Sequence, residues 1–225
     1  MKYMLVSFLK RELNLDVSSI DAVELEYAAP GKLAPRHLLG ETSGKRGSGQ
    51  TSPDVAILFN CADGTCAIYL IENKYTEHNF YPCSAAKKTI SKEHSLQGLK
   101  PNPDPGRCRN TKELIKNPAG NCHQISWGRK YWSILGDYVD NDVLQNLPYY
   151  PAMRDGYQLL RQQALAQGIA DIGLFDHVFS GVAYDERNNE LIGCLDDLGM
   201  TDFRRDWPSL FNSASKVKFH CFSHQ

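Results

Sequence analysis

Apolar residues recur at helical spacing over residues 2–14, where Leu5, Phe8, Leu9 and Leu13 share one side, and this predicts an amphipathic opening helix. Residues 22–27 alternate instead: Val23, Leu25 and Tyr27 fall on one face and Glu24 and Glu26 on the other, the periodicity of a strand. A loop-prone stretch rich in Gly, Ser and Pro follows to Pro53. Its 43–53 portion, SGKRGSGQTSP, has little to bury and is expected to be mobile. Next come two nearly continuous apolar runs, at 54–60 and 66–71, separated by Ala62-Asp63-Gly64-Thr65. An Asp-Gly pair between such runs predicts a tight hairpin, and unbroken apolarity predicts strands covered on both faces. Residues 80–125 lack clear periodicity and are rich in turn residues. Beyond them, helices are expected over 126–146, 152–167 and 202–213, and strands over 176–184, near 190–194 and over 216–222.

This order predicts an α/β fold: a central mixed sheet flanked by helices, in one domain spanning 1–225 with a loop-rich insert at about 80–125. A chain of 225 residues can bury such a core without disulfides. Seven cysteines, an odd number, argue against a disulfide framework. No run is apolar enough to span a bilayer, and residues 1–9 lack a cleavage site, so a cytoplasmic location away from membranes is expected. Net charge is −1, yet residues 84–130 hold ten Lys or Arg against three acids. A local basic segment of this kind can track phosphates, although a solvated loop would carry the same charges.

The hairpin holds the informative charges. Asp54 begins its first strand and Glu72 and Lys74 end its second, so all three should converge at one edge of the sheet, with Glu72 and Lys74 on one face. Two carboxylates beside buried apolar strands repel one another and are costly to desolvate. A hard divalent cation, Mg2+ or Mn2+, relieves both problems.

The pattern Pro53-Asp54, seventeen residues, then Glu72-Asn73-Lys74 resembles the PD-(D/E)xK nuclease superfamily, and the extension through Tyr75-Thr76-Glu77 looks like a restriction-endonuclease-like branch of it. The resemblance covers roughly 1–80 and 150–185. It implies a restriction-endonuclease-like core in the order helix, three strands, helix, strand. It implies that Asp54, Glu72 and the Asn73 backbone carbonyl ligate the metal and that Lys74 is the catalytic lysine. Its RecB-like members carry a Q-x-x-x-Y motif on the second core helix. Gln158 fills the glutamine position, while the tyrosine position holds Gln162. Some members add a glutamate from the first helix, for which Glu12 is the candidate. The implied activity is hydrolysis of phosphodiester bonds, in DNA as the expected partner.

The resemblance leaves 80–125 unexplained. Cys83, Cys108, Cys122 and His123 lie there and could form a four-ligand structural Zn2+ site, although spacings of 25 and 14 match no knuckle. Cys61, Cys66 and Cys194 read as small apolar packing residues. His94, His123 and His177 receive no catalytic role, and Trp127, Tyr131 and Trp132 read as core rather than as a base-stacking platform. Two other functions remain open: a non-catalytic nucleic-acid-binding protein on the same fold, and a metal-stapled module with 80–125 as its partner surface.

Overall fold

The computed structural model describes residues 2–42, 46 and 49–224. Its centre is one five-stranded sheet in sequential order: β1 (Val17–Leu25), β2 (Val55–Cys61), β3 (Cys66–Lys74), β4 (His177–Tyr184) and β5 (Val217–Ser223). The first three strands are antiparallel, and β4 and β5 run parallel to β3. The sheet is therefore mixed, as expected.

Both faces are covered, which explains why β2 and β3 are apolar without alternation. The opening helix, Lys2–Leu13, packs one face: Leu9 is fully buried against a cluster that includes Ile57, Phe59, Tyr69 and Phe179. The long helix Tyr157–Ile172 packs the other, in a cluster that includes Ala56, Ile68, Leu70, Val178 and Val182. That second cluster extends without a break through Cys83, Cys108, Cys122 and Trp132, so residues 80–150 share the core of the sheet. The β2–β3 turn closes with the Cys61 amide donating to the Thr65 carbonyl at 2.9 Å, and Gly64 supplies the required left-handed φ of 87°.

Several expectations need correction. β1 begins at Val17, not at residue 22, and Val23 and Leu25 are exposed at the sheet edge although their alternation suggested a core face. The stretch 126–146 is not one helix but two short ones, Tyr131–Leu135 and Asn141–Asn146. Gly128, at φ 77°, breaks it at the start, and Asp140 begins a new helix by accepting from the amides of Asp142 and Val143. Residues 189–192 are helical rather than a strand, because the Asn188 side chain caps them by accepting from the Leu191 amide. The long helix starts at Tyr157, five residues later than expected. The insert is a chain of short helices, with Asn110 and Asn117 capping two of them. Of the stretch expected to be mobile, residues 43–45, 47 and 48 lie outside the described residues. Thr51 and Pro53 from the same stretch are buried. No described helix is long and apolar enough to cross a membrane.

Candidate active site

The hairpin register pairs Val55 with Ile71, so Asp54, one residue earlier, faces the end of β3 where Glu72 stands. Residues directly opposite in an antiparallel pair point to the same face. Here that is the face of Ile68 and Leu70, beneath the long helix. The Asp54 carboxylate is fixed by the Asn73 amide, which donates to its Oδ2 at 2.7 Å. Gln158, on the first turn of the long helix, donates from Nε2 to Glu72 Oε1 at 2.9 Å. Lys74 is only 1% exposed, and its Nζ lies 3.5 Å from Glu72 Oε1 and 3.6 Å from Glu77 Oε1. It also lies within 5.8 Å of the Phe80 ring centroid and 5.2 Å of that of Tyr81, so aromatic faces supply part of the solvation it has lost.

Burial pushes the Glu72 carboxyl up to about 7, the charge on Asp54 adds to the rise, and Lys74 opposes it. At neutral pH this group is thus poised between its neutral and charged forms. Asp54, Glu72 and Gln158 open on a cleft of about 500 Å³ that also carries Thr51, Arg161 and Glu41. Arg161 is one helical turn past Gln158. Its Nε donates to Thr51 Oγ1 at 2.9 Å, and its Nη2 lies 3.4 Å from Glu41 Oε1. Glu41 is buried and also accepts from the Thr51 amide at 2.5 Å and from the Tyr131 hydroxyl at 2.7 Å.

The donor set on this cleft suits a hard divalent cation: two carboxylates whose mutual repulsion Lys74 does not remove, and beside them Gln158 Oε1, buried and without a partner. No cluster of three or more His, Cys, Asp or Glu side chains able to hold a metal occurs among the described residues, so a third ligand here would come from the backbone or from an amide.

Glu12 is not brought to the cleft. The helix that carries it packs the opposite face of the sheet, where Glu12 lies 2.7 Å from Arg11 Nη2 and 3.4 Å from His220 Nε2. Gln162, in the position the motif gives to tyrosine, points inward: its Nε2 donates to the carbonyls of Gly181 and Leu70 and to Ser180 Oγ, tying the helix to β3 and β4.

The four residues considered for zinc are not assembled as ligands. Cys83, Cys108 and Cys122 are buried together in the core, and among the described residues no three His, Cys, Asp or Glu side chains are placed to hold a metal. His123 turns away, with Nδ1 2.8 Å from Arg107 Nη2 and Nε2 3.1 Å from the Lys100 carbonyl oxygen. These thiols pack as core. Trp127, Tyr131 and Trp132 are buried as well, as expected, although the first two also border the cleft.

Sequence reasoning gave His94 no role, counted Arg129 only within the basic segment 84–130, and missed Thr51, Glu41 and Arg161; all five line the cleft. Only Arg161 had a visible signal, its i+3 spacing from Gln158 on one helix face.

The family model for restriction endonucleases associating with ARP matches residues 3–220. The chain belongs to that family. Membership of this restriction-endonuclease-associated family agrees with the mixed sheet between helices, and the match runs through the insert as well as the core. No curated protein and no solved structure matches the chain.

Proposed function

We propose that this member of the family is a metal-dependent nuclease of the PD-(D/E)xK type that hydrolyses phosphodiester bonds in DNA. Asp54, Glu72 and the Asn73 carbonyl hold Mg2+ or Mn2+, and Lys74 is the catalytic lysine. The observation that carries this reading is the meeting of Asp54 and Glu72 on one sheet face at the rim of a cleft, with the buried Lys74 ammonium against Glu72.

Each side chain has a distinct task. Gln158 and the Asn73 amide fix the two carboxylates in orientation before any ligand arrives. To hold a cation Glu72 would have to be deprotonated, so metal affinity would rise with pH through about 7. Lys74, clamped between two glutamates and two rings, stays in place as a cation that neutralises charge growing on a phosphate oxygen. A bound divalent ion supplies Lewis-acid charge to the same phosphate.

Incubation with single-stranded, duplex and branched DNA tests the proposal. Cleavage is expected with Mg2+ or Mn2+, none with EDTA, none from Asp54→Ala, and at least about 10²-fold less from Lys74→Ala. Unchanged cleavage by both variants would refute the assignment. Salt-sensitive binding without cleavage by any metal-loaded form would select the non-catalytic alternative.

A further inference from the structure

The cleft has a second wall, built by the insert and the turn that follows it, and it contains a guanidinium with no ion-pair partner among the described residues. Arg129 is 8% exposed and borders the cleft. Its one side-chain hydrogen bond runs from Nη1 to the Gly40 carbonyl at 2.9 Å, and among the described residues it makes no ion pair. Arg161, across the same space, is by contrast held by Glu41 and Thr51. A buried guanidinium without a counter-charge costs several kcal/mol, of the order known for desolvated ions. A fold carries that cost where an anion arrives from outside.

Two neighbours on the wall also have unpartnered polar atoms, an acceptor oxygen on Gln124 and a ring nitrogen on His94. Gln124 is 4% exposed and spends its Nε2 on Cys83 Sγ at 3.0 Å and Ser84 Oγ at 3.3 Å, while its Oε1 is buried without a partner. His94, its ring tilted 46° to that of Trp127 with centroids 5.3 Å apart, has a buried Nδ1 without a hydrogen-bond partner. Burial and the charge of Arg129 hold its imidazole below the ordinary range, so it meets a ligand as a neutral hydrogen-bonding ring.

The wall is held rigidly. Gly40 and Gly128 both have left-handed φ, at 63° and 77°, and a Cβ on Gly40 would lie 2.1 Å from the Gly128 carbonyl oxygen. Backbone bonds from the Lys130 amide to the Leu39 carbonyl at 2.9 Å and from the Arg129 amide to the Gln124 carbonyl at 3.0 Å fasten this turn on either side of Arg129. The guanidinium is thus preorganised where side-chain entropy would otherwise blunt it.

We propose that Arg129, beside the His94 ring, is a phosphate-binding subsite that grips the substrate strand beside the phosphate presented to Asp54 and Glu72. This rests on the nuclease reading. It makes the wall formed by the insert and the following turn a substrate clamp that acts through one buried guanidinium, and the insert's lysines are not required for that grip.

The test is binding by the full chain in EDTA, with a fluorescent single-stranded oligodeoxythymidine as probe. Affinity is measured across a range of KCl concentrations. One lost contact lowers the slope of log affinity against log salt by about 0.7 for a single strand. Arg129→Gln is expected to show that drop, and Arg129→Lys to keep the wild-type slope. A merely structural role for Arg129 would weaken binding by one factor at every salt concentration, and an unchanged slope in Arg129→Gln overturns the proposal. A wild-type chain that binds no nucleic acid removes the nuclease reading and this one with it. Arginine side-chain ¹⁵N–¹H spectra of the wild type avoid dependence on variant folding. The Arg129 Nε resonance, assigned by its loss in Arg129→Lys, should move when the oligonucleotide is added, and a resonance that stays put likewise overturns the proposal.

Discussion

Glu72→Gln gives the sharpest test of the electrostatics at the carboxylate pair. In the fold, burial and Asp54 carry the Glu72 carboxyl from its ordinary 4.5 up to about 7. The folded protein therefore holds a proton that the unfolded chain has already released between those two values. Stability contributed by this group falls as pH rises from about 4.5, and the whole penalty is present above about 7. Its size is about 3 kcal/mol, at 1.36 kcal/mol for each pH unit. Replacing the acid by its amide removes the titration and keeps the shape, and Gln158 still has an oxygen to which it can donate. The stability of Glu72→Gln relative to the wild type should thus rise by about 3 kcal/mol between pH 4.5 and pH 8 in EDTA. Taking the difference between two pH values cancels any pH-independent loss at Lys74. Urea unfolding followed by circular dichroism measures it, and for a chain of this size the gain corresponds to roughly 6–12 °C in Tm. Mn2+ should stabilise the wild type and not the variant, because the proposed metal site needs that carboxylate. A variant advantage that stays constant with pH would show that Glu72 is ionised normally and that the crowding argument is wrong.

Lys74→Met keeps the buried stem and removes the ammonium. Cleavage should fall about 10²–10³-fold, as on loss of a preorganised charge, while Mn2+ still raises Tm; loss of both effects would mean that Lys74 acts through the fold. Gly181→Ala puts a Cβ 1.6 Å from the His220 carbonyl oxygen on the neighbouring strand, so it should cost about 3 kcal/mol or more by thermal unfolding, and a neutral result would contradict the β4–β5 approach. Cys122→Ala should cost about 1 kcal/mol as a small core truncation and release no zinc in a colorimetric chelator assay, whereas stoichiometric zinc from the wild type would restore the staple.

The carboxylate pair was legible because two local rules sufficed. A hairpin turn sets the register that brings Asp54 opposite Glu72, and a period of two puts Lys74 on the face of Glu72. Gln158 followed from the family motif, and the helix that carries it needed only to start within a few residues of the expected place. The opening helix was equally legible, but its facing was not. Leu9 turns toward the Phe59 and Tyr69 side of the sheet, which takes Glu12 with it to His220. Contacts such as Arg161 to Thr51, or Tyr131 to Glu41, join residues about a hundred positions apart and leave no periodic trace. The insert was opaque for a related reason. Its short helices are fixed by asparagine caps and by packing on the sheet, and such caps look like loop composition when only the sequence is considered.

The distribution of costs across the fold argues that the two walls of the cleft form one device. Among the described residues, three non-glycine positions have left-handed φ, and two of them, Glu26 and Tyr81, border the carboxylates and Lys74. Each costs about 1–2 kcal/mol relative to an ordinary backbone. Among the described residues nine buried side-chain polar atoms have no hydrogen-bond partner, and four of them belong to cleft residues: His94, Gln124, Gln158 and Gln162. An unsatisfied buried group costs about 1–3 kcal/mol. With the raised carboxyl of Glu72 and the unpaired Arg129, several of these costs meet at or beside this cleft. Strain placed at random would fall on both faces of the sheet and on its loops. Its concentration where carboxylates, an ammonium and a guanidinium converge is what a polar, multiply charged ligand would relieve all at once, and a nucleic-acid strand with its cation is such a ligand.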